Sequence, residues 1–214
     1  MKHREFYDQH FSRDDFPDDT IEHCHFYRCG FDRADLSELR FLHCKFYDEQ
    51  HDAGCSFYRA TLKDTLFSHC DLSMSDFRHT DAIGLEISDC KAQGTDFRGA
   101  SFRNMIGQNS YFCTATLLRN NFCYASFEDV ILELCDLREN RWSEANLLAA
   151  KFSGSDLSGG EFHHIDWQSA DFTCCDLTGC DLSQLDVRRV DLTGVKITQE
   201  QQSQLLEPLG IIVI

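Results

Sequence analysis

Three short segments contain residue types that could bind a metal ion or a phosphate group. His23–His25 and Thr173–Asp176 combine imidazole, thiol and carboxylate groups, but a structural zinc site needs four ligands that converge on the ion. Gly154–Gly160 has the glycine spacing of a phosphate-binding loop but lacks the lysine that completes this motif. No nucleophile and base form a recognisable catalytic pair. The sequence therefore predicts no metal ion, no cofactor and no enzymatic activity.

The elements that hold these segments follow a repeat of five residues. All 18 phenylalanines lie on one five-residue lattice, which shifts its phase once. A small residue lies two positions before most of these central residues, and nine of the 12 cysteines, including Cys24 and Cys175, occupy this position. Residues two apart in an extended chain point the same way, so both should face the interior. We therefore expect Cys24 and Cys175 in the core, and His23 and His43, 20 residues apart, stacked on an outer face.

A period of five fits neither regular element, because helix faces repeat every 3.6 residues and strand faces every 2.0. Four straight sides joined by corners would close a square coil of about 20 residues and keep every central residue inside. Stacked coils would hydrogen-bond like neighbouring strands, with a rise of roughly 4.8 Å. The sequence predicts an all-β solenoid over residues 1–198 and a capping and dimerisation segment over residues 199–214.

The composition limits where the protein acts and what it binds. A net charge of −16 argues against direct binding to nucleic acid, which needs a basic surface, and favours a basic partner. The first residues lack the apolar run of a signal peptide, and no stretch reaches the roughly 18 apolar residues of a membrane span. We therefore expect a cytoplasmic protein with no membrane contact, whose cysteines are free thiols because reducing compartments disfavour disulfides.

Several units resemble the consensus of the pentapeptide-repeat family, A(D/N)LXX. The units ADLSE, CDLSM, SDLSG and CDLTG begin at Ala34, Cys70, Ser155 and Cys175. This resemblance implies a right-handed quadrilateral β-helix. The stretches CDLSMSDFR, AQGTDFRGASF, ENRW, FSGSDLSGGEF and LGIIVI are similar to those of the Qnr quinolone-resistance group within that family. The second resemblance implies a protein that binds DNA gyrase and topoisomerase IV and protects them from quinolones.

Two loops are expected to interrupt the solenoid. The step from Phe46 to Phe57 is six residues longer than one unit, which indicates a smaller loop. A second insertion of ten residues would preserve the phase, and it is indicated by Gly107 at a central position and Met105 at a small one. Because Phe112 could still belong to a regular unit, the residues alone do not decide whether this second loop exists. The Qnr resemblance implies loops of eight and twelve residues, about nine coils and a C-terminal dimer.

Both loops are predicted to bind the partner. The smaller loop, a polar support, consists of Tyr47, Asp48, Glu49, Gln50, His51, Asp52, Ala53 and Gly54. The larger loop consists of Arg103, Asn104, Met105, Ile106, Gly107, Gln108, Asn109, Ser110, Tyr111, Phe112, Cys113 and Thr114. Apolar side chains in a loop are typical of residues that anchor a binding partner. The main candidates for this role are Met105, Ile106, Tyr111 and Phe112. Packing of Phe112 against the coil is the alternative.

An acidic surface is predicted near the C-terminal end of the solenoid. Eight consecutive units carry an acidic residue before the central one: Asp156, Glu161, Asp166, Asp171, Asp176, Asp181, Asp186 and Asp191. Aspartate also suits turns, because its side chain hydrogen-bonds the nearby backbone, and this explains part of its frequency. A dimeric rod of about 86 Å would carry one net charge per roughly 2.7 Å, against about 1.7 Å for duplex DNA. Such a rod could occupy a basic groove that normally holds DNA.

The end of the chain leaves the repeat. Thr198 and Gln201 have the spacing of a capping box, which predicts a short helix followed by a terminal strand. The dimer interface is predicted at Leu205, Leu206, Leu209, Ile211, Ile212, Val213 and Ile214. A simple intramolecular cap is the alternative. For the function, the alternative is a scaffold that binds a different basic partner, because a fold alone does not determine a function.

Overall fold

The computed structural model of the chain describes residues 1–108 and 110–213. Within this part, short parallel strands and isolated bridges stack along the chain, as the five-residue repeat predicts. Asn109, predicted in the larger loop, and Ile214, predicted in the dimer interface, lie outside the described residues.

The strands are two to four residues long, and most of them pair in parallel with strands one coil away. They are β1 (Glu5–Tyr7), β2 (Thr20–Glu22), β3 (His25–Tyr27), β4 (Arg40–Leu42), β5 (Tyr47–Asp48), β6 (Ala53–Gly54), β7 (Leu66–Ser68), β8 (Leu85–Ser88), β9 (Arg103–Met105), β10 (Tyr111–Cys113) and β11 (Ala115–Leu118). One parallel sheet has the order β2, β4, β7, β8, β11, and a second contains β1 and β3. Isolated parallel bridges, such as those that link Asp136, Asp156 and Asp176, extend the ladder toward the C-terminus.

Helices are few and short. The α-helix α1 spans Gln202–Leu206, and 3-10 helices span Arg13–Asp15, Trp167–Ser169 and Glu207–Leu209. Among the described residues, no helix has the length and apolar character that crossing a membrane requires.

Each side of a coil ends in a tight turn. At one such corner, the Ala60 N–H donates to the Phe57 carbonyl at 2.9 Å, and Arg59 has a positive φ of 59°. These are the features of a type II turn, whose third residue lies in the left-handed region. The Arg59 N–H also donates to the carbonyl of Arg78 in the next coil at 3.0 Å. The ladder therefore holds a backbone conformation that most residues disfavour in isolation.

The interior consists of columns of side chains one coil apart. The rings of Phe57 and Phe77 stack with centres 4.7 Å apart and an angle of 2° between their planes. Across the smaller loop, Phe31 stacks on Phe57 from 26 positions away, and across the larger loop Phe97 stacks on Phe127 from 30 positions away. The loops thus add six and ten residues to a coil of 20.

The structure confirms two other predictions from the repeat. Cys24 and Cys175 have no exposed surface and lie in the core. The rings of His23 and His43 stack on the outside, with centres 5.0 Å apart. The described cysteines are free thiols. Burial raises the pKa of Cys175 to about 12, so this thiol is protonated at neutral pH.

Truncation of a central residue should destabilise the protein strongly. Leu137, Phe152 and Phe172 are at most 1 % exposed. We expect replacement of any of them by alanine to lower the free energy of unfolding by about 2–5 kcal/mol, because a cavity remains in a closely packed core. Leu134 is 77 % exposed and provides a control of the same residue type, for which Leu134→Ala should change the stability by less than about 0.5 kcal/mol. Equal effects of Leu137→Ala and Leu134→Ala in urea unfolding would contradict the register of the coil.

Polar side chains close the last coil. Gln201 is buried, and its Nε2 donates to the carbonyls of Leu177 and Cys180 at 2.8 Å. Its Oε1 accepts from the Thr198 N–H at 2.7 Å, which is one half of the predicted capping box, although α1 begins only at Gln202. Gln204 similarly accepts from the Leu182 N–H at 2.8 Å. These bonds satisfy backbone groups at an open edge of the solenoid.

The predicted terminal strand is absent from this single chain. Residues 211–213 have no regular secondary structure. A strand is defined by hydrogen bonds to a neighbouring strand, and the described part of the chain provides no such neighbour here.

Candidate functional site

The larger loop is an antiparallel hairpin with its base attached to the coil. Strands β9 and β10 pair so that Met105 is opposite Tyr111. The Tyr111 hydroxyl donates to Glu133 Oε2 in the next coil at 3.0 Å, and the Arg103 guanidinium lies 5.4 Å from the Tyr111 ring centre. The hydrogen bond to Glu133, together with burial, raises the pKa of the Tyr111 hydroxyl. Tyr111 therefore attaches the loop to the solenoid of the same chain, which differs from its expected role as an anchor for a partner.

The tip and outer side of this hairpin expose large apolar side chains. Met105 is 53 % exposed, Ile106 69 % and Phe112 42 %. Adjacent residues of a strand point to opposite faces, so Phe112 points outward where Tyr111 points to the coil. The alternative, in which Phe112 packs against the coil, is therefore wrong. The turn is closed by the Ser110 carbonyl, which accepts from the N–H groups of Ile106 and Gly107 at 2.9 and 3.2 Å. An exposed apolar cluster of this kind is typical of a protein-binding site.

The smaller loop is held to the first coils by a network of charged groups. Asp48 of β5 is buried, and its carboxylate forms an ion pair with Arg28 and a 2.9 Å contact with His51 Nδ1. Arg28 also donates two hydrogen bonds to Asp8, at 2.8 and 2.7 Å. Burial acts to raise the pKa of Asp48, but the hydrogen bonds from His51 and the Gln50 N–H and the charge of Arg28 outweigh it, so the pKa is lowered. The loop is thus polar and firmly attached.

The sequence contained a signal for this network that the loop prediction did not use. Asp8, Arg28 and Asp48 are spaced by 20 residues and alternate in charge, so a coil of 20 places them in one column. Glu133 was also missed, and Gln201 was predicted for the capping box but not for its bonds to the carbonyls of Leu177 and Cys180. Glu133 is 22 residues from Tyr111, so the 20-residue repeat does not place the two in one column. Gln201 directly precedes a helix that does not follow the repeat.

The smaller loop also depends on a close backbone approach at Gly54. A methyl group added to Gly54 would lie 2.3–2.4 Å from the carbonyl atoms of Met74. We expect Gly54→Ala to displace the loop and to accelerate proteolytic cleavage within residues 47–54. Gly107→Ala is the matched control, because the nearest atom to its added methyl group is Ser110 Cβ at 3.8 Å, an ordinary contact. Equal cleavage rates of Gly54→Ala and the wild type, followed by mass spectrometry, would refute this role of Gly54.

The eight acidic residues form a belt around the C-terminal coils and do not lie on one face. Successive units occupy successive sides of the coil, so that each side carries two of them, such as Asp156 and Asp176. The seven aspartates each accept a hydrogen bond from the N–H two residues later, at 2.9–3.1 Å. The side chain of Glu161 instead pairs with Arg141 at 2.9 Å. The role of aspartate in turns is therefore confirmed for this belt.

The belt nevertheless remains negatively charged. Hydrogen bonds from Arg188, followed by its charge, lower the pKa of Asp186 to about 2. Hydrogen bonds from Ser183 and Thr193 lower the pKa of Asp181 and of Asp191. Four carboxylates have no cationic partner within 4.0 Å in the part of the chain that the structure describes: Asp166, Asp171, Asp181 and Asp191.

The predicted dimer residues fall into two groups. Leu205 and Leu206 are half-buried, and Leu205 packs against the core of the last coil. A second group is exposed on the single chain: Leu209, Ile211, Ile212 and Val213. The helix thus closes the coil, as the alternative of an intramolecular cap requires, and the residues beyond it form an uncovered apolar segment.

Comparison with protein families identifies the repeat. A family model described as pentapeptide repeats matches the chain in eight copies, over residues 55–91, 131–166 and 170–199. The chain is 52 % identical over 106 residues to the pentapeptide repeat protein QnrB4 of Escherichia coli, an alignment that spans about half the length of each protein (50 % and 49 %). It is 46 % identical over 143 residues to the pentapeptide repeat protein VPA0095 of Vibrio parahaemolyticus, which covers 67 % of this chain and 66 % of that protein.

The comparison of structures extends the similarity to nearly the whole chain. The full-length structure of QnrB1, described as a plasmid-mediated fluoroquinolone resistance protein, superposes with a TM-score of 0.95 and 50 % sequence identity. The superposition covers 99 % of both chains.

Proposed function

We infer the function from one premise: the chain belongs to the Qnr quinolone-resistance family of pentapeptide-repeat proteins. We propose that it binds the bacterial type II topoisomerases DNA gyrase and topoisomerase IV and protects them from quinolones. The observation that carries the proposal is the match to QnrB1 over 99 % of both chains. The protein acts in this proposal as a binding protein in the cytoplasm, without a catalytic step.

The larger loop makes the specific contact in this proposal. An acidic rod alone could enter any basic groove, so specific protection needs a surface that departs from the uniform coils. The exposed side chains of Met105, Ile106 and Phe112 support this assignment, because large apolar groups on a loop gain most when a partner covers them. The smaller loop adds a polar contact beside it.

The active form in this proposal is a dimer of right-handed rods, each with about nine coils. The exposed segment of Leu209 and residues 211–213 joins two copies, and residues 211–213 complete a strand when a partner strand is present. Two-fold pairing through one end would double the length of the rod to about 86 Å, by the strand spacing. The acidic belts then flank the junction of the two copies.

Affinity for gyrase should fall as salt is added, because the acidic belt contributes long-range attraction to a basic groove. Exposed charges are screened within about 8–10 Å at physiological ionic strength. The direct test is binding of the full-length protein to purified gyrase by biolayer interferometry over a series of salt concentrations. Binding that does not respond to salt would contradict the DNA-like role of the belt.

A matched variant separates charge from structure. Replacing Asp166, Asp171, Asp181 and Asp191 by asparagine removes four charges and keeps an oxygen that accepts the turn hydrogen bond. We expect this variant to melt near the wild-type temperature, to bind gyrase more weakly and to depend less on salt. An unchanged affinity at low salt would show that the belt has only a structural role. The loops alone would then provide the surface that binds gyrase.

A further inference from the structure

A shallow cavity of about 300 Å³ lies between the base of the smaller loop and the neighbouring coils. Ser73 and Gln93 contribute to its lining, and five further residues complete it: Tyr47 and Asp52 of the loop, and Met74, Gly94 and Tyr124 of the coils. We refer to these five residues as the tyrosine notch. None of the described residues that line it is a lysine, an arginine or a histidine.

The floor of the notch is apolar because of one column of corner residues. Met74, Gly94 and Tyr124 occupy the same corner of successive coils, each with a positive φ, of 58°, 65° and 61°. A methyl group at Gly94 would lie 2.5 Å from Met74 Sδ, so the thioether lies across the glycine where a side chain would otherwise stand. Tyr124 is 62 % exposed and Met74 49 % exposed, although both are large and apolar. The floor therefore presents a thioether and an aromatic ring to solvent.

Two carboxylates accept hydrogen bonds from the tyrosines of the notch. The Tyr47 hydroxyl donates to Asp52 Oδ1 at 2.5 Å, and the Tyr124 hydroxyl donates to Glu144 Oε1 at 2.9 Å. The hydrogen bond to Asp52, followed by burial and by the charges of Asp52, Asp71 and Glu49, raises the pKa of Tyr47 to about 12. Each carboxylate uses one oxygen for a phenol and has acceptor capacity left. The rim is therefore negative and able to accept further hydrogen bonds.

We propose that the tyrosine notch receives an arginine side chain of a protein partner. A guanidinium group stacks on tyrosine faces, and its N–H groups form charge-assisted hydrogen bonds to carboxylates. Its aliphatic stem packs on a thioether such as that of Met74. Lysine suits the site less well, because its ammonium group is compact, strongly hydrated and unable to stack. The source of the arginine rests on the proposed function, in which the partner is a topoisomerase.

The chemistry of the notch can be tested without a topoisomerase. The chain has three methionines, Met1, Met74 and Met105, so ¹³C-methyl labelling gives three resolved NMR signals in the full-length protein. Titration with N-acetyl-arginine amide should shift the Met74 signal in a saturable manner in the millimolar range and leave the other two in place. Tyr124→Leu and Glu144→Gln should each weaken this response, and N-acetyl-lysine amide should shift the signal less. A Met74 signal that does not move, or that moves equally with the lysine probe, would overturn the proposal.

The binding of gyrase tests the source of the arginine. Tyr124→Leu and Glu144→Gln should each weaken binding to gyrase roughly tenfold. Tyr7 and Glu5 provide matched controls in the first coil, because Tyr7 is 51 % exposed and its hydroxyl donates to Glu5 at 2.8 Å. Tyr7→Leu and Glu5→Gln should bind like the wild type. Equal binding by the notch variants and these controls would overturn the proposal. If the wild type does not bind gyrase, the proposed function and a topoisomerase source both fail, while the NMR titration still decides whether the notch binds a guanidinium group.

Discussion

A variant that lacks residues 103–112 is expected to remain folded and dimeric and to give no protection of gyrase against quinolones. The excision removes the exposed apolar side chains of Met105, Ile106 and Phe112 together with the turn that presents them. It spares Cys113 and Thr114, because every unit has two residues between its central residue and the next small one. The Thr114 carbonyl accepts the Gly84 N–H of the preceding coil at 2.9 Å, so Thr114 belongs to the ladder.

The matched control lacks residues 47–52 and keeps Ala53 and Gly54 for the turn. This six-residue excision should weaken protection less, because the smaller loop is polar and contributes the edge of a contact. Circular dichroism and sedimentation should show that both variants are folded dimers before they enter a gyrase supercoiling assay with a quinolone. A folded dimer without residues 103–112 that protects fully would contradict the assignment of the larger loop.

A chain that ends at Thr198 should form monomers or aggregates. This truncation removes the apolar segment and also removes Gln201 and Gln204, which satisfy backbone groups of the last coil. The open edge and interior would then be exposed, and an exposed edge pairs readily with other chains.

A second truncation separates dimerisation from capping. A chain that ends at Gly210 keeps both glutamines and loses the exposed residues 211–213. We expect it to be a folded monomer at micromolar concentration in sedimentation equilibrium, and we expect the full-length protein to be a dimer under the same conditions. A full-length protein that sediments as a monomer at this concentration, or a dimeric chain that ends at Gly210, would contradict the assignment of the interface.

The interior of the fold follows from the sequence because one geometric rule covers the chain outside the two loops and the C-terminal segment. The five-residue lattice places Phe57, Phe77 and Cys24 in the core, and the structure confirms all three. The rule works because each side of the coil must bury its own central residue, so that periodicity and packing carry the same information.

The sequence indicates the two loops with different clarity. An insertion of six residues shifts the phase after Phe46 and is visible in the sequence, whereas an insertion of ten leaves the phase unchanged. Whether Tyr111 or Phe112 faces the coil depends on the register of the hairpin, which spacing alone does not determine. The tyrosine notch was missed because Tyr47 joins it only when the loop folds back over Met74.

The acidic residues illustrate how neighbours in sequence separate in space. The eight acidic units are consecutive in sequence, but each step of five residues turns the chain through one corner. Asp156 and Asp176, 20 positions apart, share a side, while Asp156 and Glu161 lie on adjacent sides. A belt of this kind resembles the all-round charge of a nucleic acid duplex more closely than a single acidic face does.

The most direct test of the proposed function is quinolone-inhibited supercoiling by purified gyrase in the presence of the full-length protein. We expect increasing concentrations of the protein to restore supercoiling of relaxed plasmid, and the variant without residues 103–112 to restore none. If the folded, dimeric wild type restores no supercoiling at concentrations that saturate its binding to gyrase, the proposal that this protein protects topoisomerases from quinolones is wrong.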